Sequence, residues 1–154
     1  MATLLLCALL IGFVCGLRSM TAPAVVCWGT RLGWLSLAGS WLNFLAHPVA
    51  LIIFTLCAIG ELIADKFPNI PSRTQIGPLG FRIVFGGICG AALAFSAHAM
   101  LAAGAAAGAV GAVTGAYLGY GYRRWSTGKI PALMAALLED AVAVGTGFLV
   151  VSRF

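Results

Sequence analysis

Four acidic side chains are the residues most able to do chemistry in this chain: Glu61, Asp65, Glu139 and Asp140, all inside or at the edge of apolar runs. In hydrocarbon an ionised carboxylate costs roughly 2.5–3.5 kcal/mol or more, so it normally faces a protein interior, a partner charge or water. Glu61 and Asp65 are four apart and share one face of a helix. Gly60 beside Glu61 leaves room for a neighbouring backbone or a ligand. Desolvation favours the protonated form of a carboxylate, so Glu61 has the makings of a proton or cation carrier; a structural ion pair with an arginine is the plainer reading. Asp65 stands next to Lys66 near headgroup depth, where a solvated charge also accounts for it. Glu139 and Asp140 are adjacent and point about 100° apart on a helix. One of them is expected to line the interior and meet Arg18, Arg82 or the hydroxyls of Ser19 and Thr21.

The complementary chemistry lies at Gly16-Leu17-Arg18-Ser19-Met20-Thr21-Ala22-Pro23. Ser19 or Thr21 can cap a new helix with Pro23 in its first turn. Free N–H groups, the positive end of the helix dipole, two hydroxyls and a guanidinium together make an anion site. Within a membrane this stretch would resemble the broken helices of transporters; at the surface it would be a turn whose Arg18 only sets topology. Pro71-Ser72-Arg73-Thr74 reads as a fixed turn whose Arg73 docks a lipid phosphate or another anion, or as a solvated loop. The candidate binding set is therefore Arg18, Ser19, Thr21, Arg73 and Arg82, and the candidate coupling set Glu61, Asp65, Glu139 and Asp140. No nucleophile–base pair, zinc motif, P-loop or dinucleotide fingerprint is present, so no catalytic residue, metal site or cofactor is expected. The cysteines Cys7, Cys15, Cys27, Cys57 and Cys89 lack ligand spacing and read as packing residues.

These residues are carried by a chain that is 62% hydrophobic and 8% charged, with a mean hydropathy of +1.05. Soluble domains carry about 25% charged residues, and several runs here are long enough for a core about 30 Å thick. Stretches such as 86–121 do not alternate as a β-barrel requires. The expected fold is all-α: one polytopic transmembrane helical bundle over residues 1–154, of about six short segments. They are drawn at about 3–16, 22–37, 48–64, 81–97, 100–120 and 132–151. The first has no basic leader and no small-x-small cleavage pattern, so it reads as a retained helix. The +5 net charge sits at the ends of apolar runs, which marks topology rather than nucleic-acid binding. Loops 65–80 and 122–130, with Arg18 in the first loop, are expected to be cytoplasmic and both termini outside. Arg31 does not fit that scheme. Residues 1–37 are either two spans or a broken, re-entrant segment.

Ile11-Gly12-Phe13-Val14-Cys15-Gly16 is similar to Phe85-Gly86-Gly87-Ile88-Cys89-Gly90, which suggests inverted three-segment halves, 1–76 and 77–154, with Glu61 and Glu139 at matched positions and a site near the midplane. Gly104/Gly108, Gly111/Gly115 and Gly115/Gly119 give small faces for close helix packing, within the chain or at a homodimer seam.

The motifs Gly16–Pro23 and Gly60–Thr74, with Arg82, Gly86 and Gly90 after them, resemble the domain of unknown function 4126 family of small bacterial membrane proteins. The resemblance implies a compact multispan protein of the bacterial inner membrane and assigns neither substrate nor site. The residues point to a small transporter or channel with a polar midplane site for an anionic or phosphate-bearing ligand, with proton or cation coupling. An intramembrane enzyme acting on a lipid phosphate or headgroup, or a structural assembly protein, are the alternatives; membrane lipids are the expected partners.

Overall fold

The computed structural model describes residues 1–64 and 75–154. Asp65 and Arg73, named above, lie outside the described residues. The described chain is all-helical: α1 (Ala2–Leu17), α2 (Thr21–Arg31), a short 3-10 helix (Trp41–Ala46), α3 (Pro48–Ala64), α4 (Ile76–Ser96), α5 (Leu101–Ser126) and α6 (Ala132–Val151). Of these, α4, α5 and α6 are long and apolar enough to cross a membrane.

Glycine builds the centre. α5 packs against both α1 and α4 along its length, and those two helices also touch each other. A Cβ placed on Gly12 would lie 2.0 Å from the Gly108 carbonyl oxygen, and one on Gly90 2.2 Å from that of Gly104. The two glycine motifs noted in the sequence thus seat α1 and α4 on the same helix. Gly12 and Gly16 face Gly108 and then Ala112–Ala116, so α1 runs parallel to α5; Gly86 and Gly90 face Gly108 and then Gly104, so α4 runs antiparallel to it. Backbones approach this closely only where side chains are absent, and dispersion is the main attraction available between helices in lipid. Gly104, Gly108, Gly111 and Gly115 are all buried against α1 or α4. These small faces are used within the chain.

The remaining directions follow from side chains. The Cβ position of Gly147 meets Val25 and that of Gly29 meets Val151, so α2 runs parallel to α6. Trp28 Nε1 donates to Thr55 Oγ1 at 3.2 Å and Met20 N donates to Glu61 Oε2 at 2.9 Å, so α3 runs antiparallel to α2. Arg123 pairs with Glu139 across the short turn after α5. Odd-numbered helices therefore run one way and even-numbered helices the other. The end of α3, the start of α4 and the turn 127–131 lie at the same end of the bundle.

Residues 1–37 were expected as either two spans or a broken, re-entrant segment, and the helices there are short and broken. α1 is about 24 Å long and α2 about 16 Å at 1.5 Å per residue. Their connection packs at the level of Asp140, about 12 Å along α6. α1 and α2 form an antiparallel hairpin whose tip is sunk in the bundle, and both open ends lie at the end opposite the turn 127–131. Arg18 is 1% exposed at that tip, so it is no surface loop cation and drops out of the basic-loop pattern. Pro23 causes the break, because in a continuous helix its ring would collide with the carbonyl of residue 19.

Segment two also ends earlier than expected. Gly33 takes φ +79, Trp34 N donates to Gly29 O at 2.9 Å and Gly33 N donates to Thr30 O at 3.2 Å. This pattern stops a helix with a left-handed glycine. Arg31, unexplained by the loop scheme, falls in the last turn of α2, where a cation meets the negative end of the helix dipole. α4 begins before Phe81, with Pro78 in its first turn, where its missing N–H costs nothing. α5 continues past Tyr120 through the two arginines to Ser126.

Candidate functional site

The break between α1 and α2 gathers the buried charges. Arg18 follows α1 in an extended conformation (φ −139, ψ 110) and forms an ion pair with Asp140 of α6. The carboxylate is 13% exposed and the guanidinium 1%. A charge so enclosed needs its partner, since removing one member of a buried pair strands the other.

Glu61 reaches the same break from the last turn of α3. Its Oε1 accepts from Ser19 N at 2.8 Å, and its Oε2 accepts from Met20 N at 2.9 Å. These amides stand at the start of α2, where N–H groups have no partner within the helix and the dipole favours negative charge. Arg82 of α4 completes the setting: Nη2 lies 3.6 Å from Glu61 Oε1, while Nη1 donates to the carbonyl of Gly16 at the end of α1. Cys15 Sγ donates weakly to Ser19 O at 3.4 Å and to Arg82 O at 3.5 Å. Thr21 in the first turn of α2 is 3% exposed, and its hydroxyl oxygen has no hydrogen-bond partner among the described residues.

The anion site read from the sequence at Arg18, Ser19 and Thr21 therefore takes a specific form. Its backbone donors hold an anion, and that anion is the protein's own Glu61. Two amides and one guanidinium converge on a carboxylate of 22% exposure, while Arg18 turns to Asp140.

Glu139 and Asp140 separate as their 100° offset requires. Asp140 meets Arg18. Glu139, buried on α6, accepts from Arg123 Nε at 2.9 Å. Glu61 and Glu139 thus stand in separate ion pairs and do not face one another as matched halves would have them. Arg123 was read from the sequence only as a loop cation. Its role is visible only once α5 extends past Tyr120 and folds back on α6. A groove of about 400 Å³ opens beside Glu139, lined by Phe13 and Leu17 of α1, Leu118, Gly119 and Tyr122 of α5, and Leu138, Glu139 and Val142 of α6. Arg18, Glu61 and Asp140 do not line it. Among the described residues no three His, Cys, Asp or Glu side chains stand together as metal ligands.

No curated protein and no solved structure matches the chain. A family model does, described as "Domain of unknown function (DUF4126)", over residues 5–152. That span takes in the buried hairpin, Glu61, Arg82 and the Glu139–Asp140 pair alike, and the chain belongs to this family of proteins carrying a domain of unknown function.

Proposed function

We propose that this protein is a multi-pass transporter or channel of the bacterial inner membrane that passes a small anion, and that Glu61 is its internal plug. The observation that carries the reading is the bidentate seat of Glu61 on Ser19 N and Met20 N, with Arg82 beside it. A site that binds one carboxylate through two amides and a guanidinium suits any compact oxyanion or halide once that carboxylate leaves. Glu61 stands in the last turn of α3, so a small displacement of that helix end frees the amides. The Arg18–Asp140 and Arg123–Glu139 pairs hold the hairpin and α6 in place while the Glu61–Arg82 pair works.

The remaining features fit this role. The α1–α2 hairpin enters from one side and turns back inside the bundle, an arrangement in which irregular backbone is tolerated because it is enclosed by protein. α1 and α4 seat related glycine motifs on α5 in opposite directions. Basic residues concentrate in 65–80 and 122–130, which puts that end in the cytoplasm.

Flux in proteoliposomes tests the reading. Wild-type protein should pass a small anion slowly, and Glu61→Ala should raise that flux several-fold while cation flux stays at background. Anion flux equal to empty liposomes in both proteins, with both correctly folded, refutes it.

A further inference from the structure

The groove between α5 and α6 has no part in the site above. Its walls are apolar apart from Glu139 and the Tyr122 hydroxyl. Leu118, Leu138 and Val142 are each more than half exposed, so the groove opens sideways, towards the hydrocarbon around the bundle. α5 and α6 are consecutive yet touch each other little, and the groove is the space this leaves.

One end of it is basic. Arg123 binds Glu139 on the groove wall. Tyr122, which lines the groove, packs on Trp125 with ring centroids 6.5 Å apart, and Lys129 Nζ sits 4.3 Å over the Trp125 ring. Two cations against one carboxylate thus stand at this end of an apolar slot, with an aromatic pair at the level where Trp and Tyr favour the membrane interface. An apolar slot calls for a hydrocarbon chain. A basic, aromatic rim calls for a negative headgroup on that same molecule, and basic pockets between membrane helices are the usual seats of acidic lipid headgroups.

We infer that the α1–α5–α6 groove binds one acyl chain of an anionic phospholipid whose phosphate rests on Lys129 at its aromatic end. The lipid closes the seam between α5 and α6 that the protein leaves open. Free phosphate lacks the chain, and a zwitterionic lipid lacks the net charge.

The test uses the purified full-length protein in mild detergent, with bound lipid counted by native mass spectrometry and stability followed by thermal unfolding. Phosphatidylglycerol, phosphatidylcholine with the same acyl chains, and inorganic phosphate are compared. Phosphatidylglycerol should be retained at one per chain and raise the unfolding temperature; the other two should do neither. Lys129→Glu should weaken phosphatidylglycerol retention by about tenfold. Leu138→Trp, and independently Val142→Trp, should block it by filling the slot from an exposed position. Equal retention of the two lipids, equal stabilisation by inorganic phosphate, or unchanged retention in a folded groove-filling variant overturns the inference. So does a dimer cross-linked through Leu118→Cys and Leu138→Cys, which would make a second copy the occupant.

Discussion

Gly108→Ala is the smallest change that tests the packing logic. A Cβ at Gly108 would stand 2.1 Å from Gly86 O, about 1.3 Å short of the 3.4 Å at which ordinary contact begins. The obstacle is backbone, so no rotamer relieves it. The Gly108 carbonyl also lies 2.0 Å from where a Cβ on Gly12 would be, so the seams to α1 and α4 meet at this residue. One methyl group therefore loosens two helix seams. Overpacking of this kind costs about 1–3 kcal/mol, and a backbone obstacle at the meeting of two seams puts this position at the upper end, near 3 kcal/mol. Gly145 of α6 is the control: a Cβ there meets nothing within 4 Å. Gly145→Ala should be neutral or stabilising by up to about 1 kcal/mol, since alanine is the better helix former. Thermal unfolding of the two variants in one detergent, followed by tryptophan fluorescence, gives the comparison. Equal unfolding temperatures would show that the α1–α5–α4 seams are not as tight as described.

Other perturbations address the charges and the topology. Arg18→Met should destabilise the protein by about 3–5 kcal/mol by stranding Asp140; Arg18→Met with Asp140→Leu should recover most of it, and strict additivity in that double-mutant cycle would deny the pair. Arg123→Ala should cost less, about 2 kcal/mol, because Arg123 is 28% exposed and solvent screens it; adding Glu139→Leu should restore stability, and a failure of that rescue in a chemical unfolding series would count against their coupling. Gln75→Cys and Thr127→Cys should react with an impermeant thiol reagent from one side of the membrane, and Met100→Cys and Arg153→Cys from the other; any exchange between the two sets breaks the helix directions.

The helical class, the start of α3 at Pro48 and the bounds of α6 were legible from hydrophobic runs and their punctuation. The glycine steps announced close packing, and the structure adds which helix each face meets, which a single sequence does not hold. Segment two was drawn too long because apolar residues continue to Leu37; Gly33 was the signal to stop, and it was outweighed. The break at 17–20 was visible in Pro23 and the cluster of polar residues, but its depth was not, since depth depends on where α6 and α3 pack. The acidic quartet was conspicuous against the oily background, and three members fall at ion pairs within the described residues. Their partners needed tertiary structure: nothing in spacing links Glu61 to the amides of Ser19 and Met20, 42 and 41 residues away, or Glu139 to Arg123.

The central claim is that Glu61 fills an anion site which another anion can take. The direct measurement is the amide nitrogen–proton NMR spectrum of Ser19 and Met20 in lipid nanodiscs, titrated with chloride and with inorganic phosphate. In Glu61→Ala both amide signals should shift and saturate with at least one of the two anions, and in the wild type they should stay in place at the same concentrations. Unmoved Ser19 and Met20 signals in a folded Glu61→Ala protein would contradict the account, and would make the seat of Glu61 a fixed helix cap.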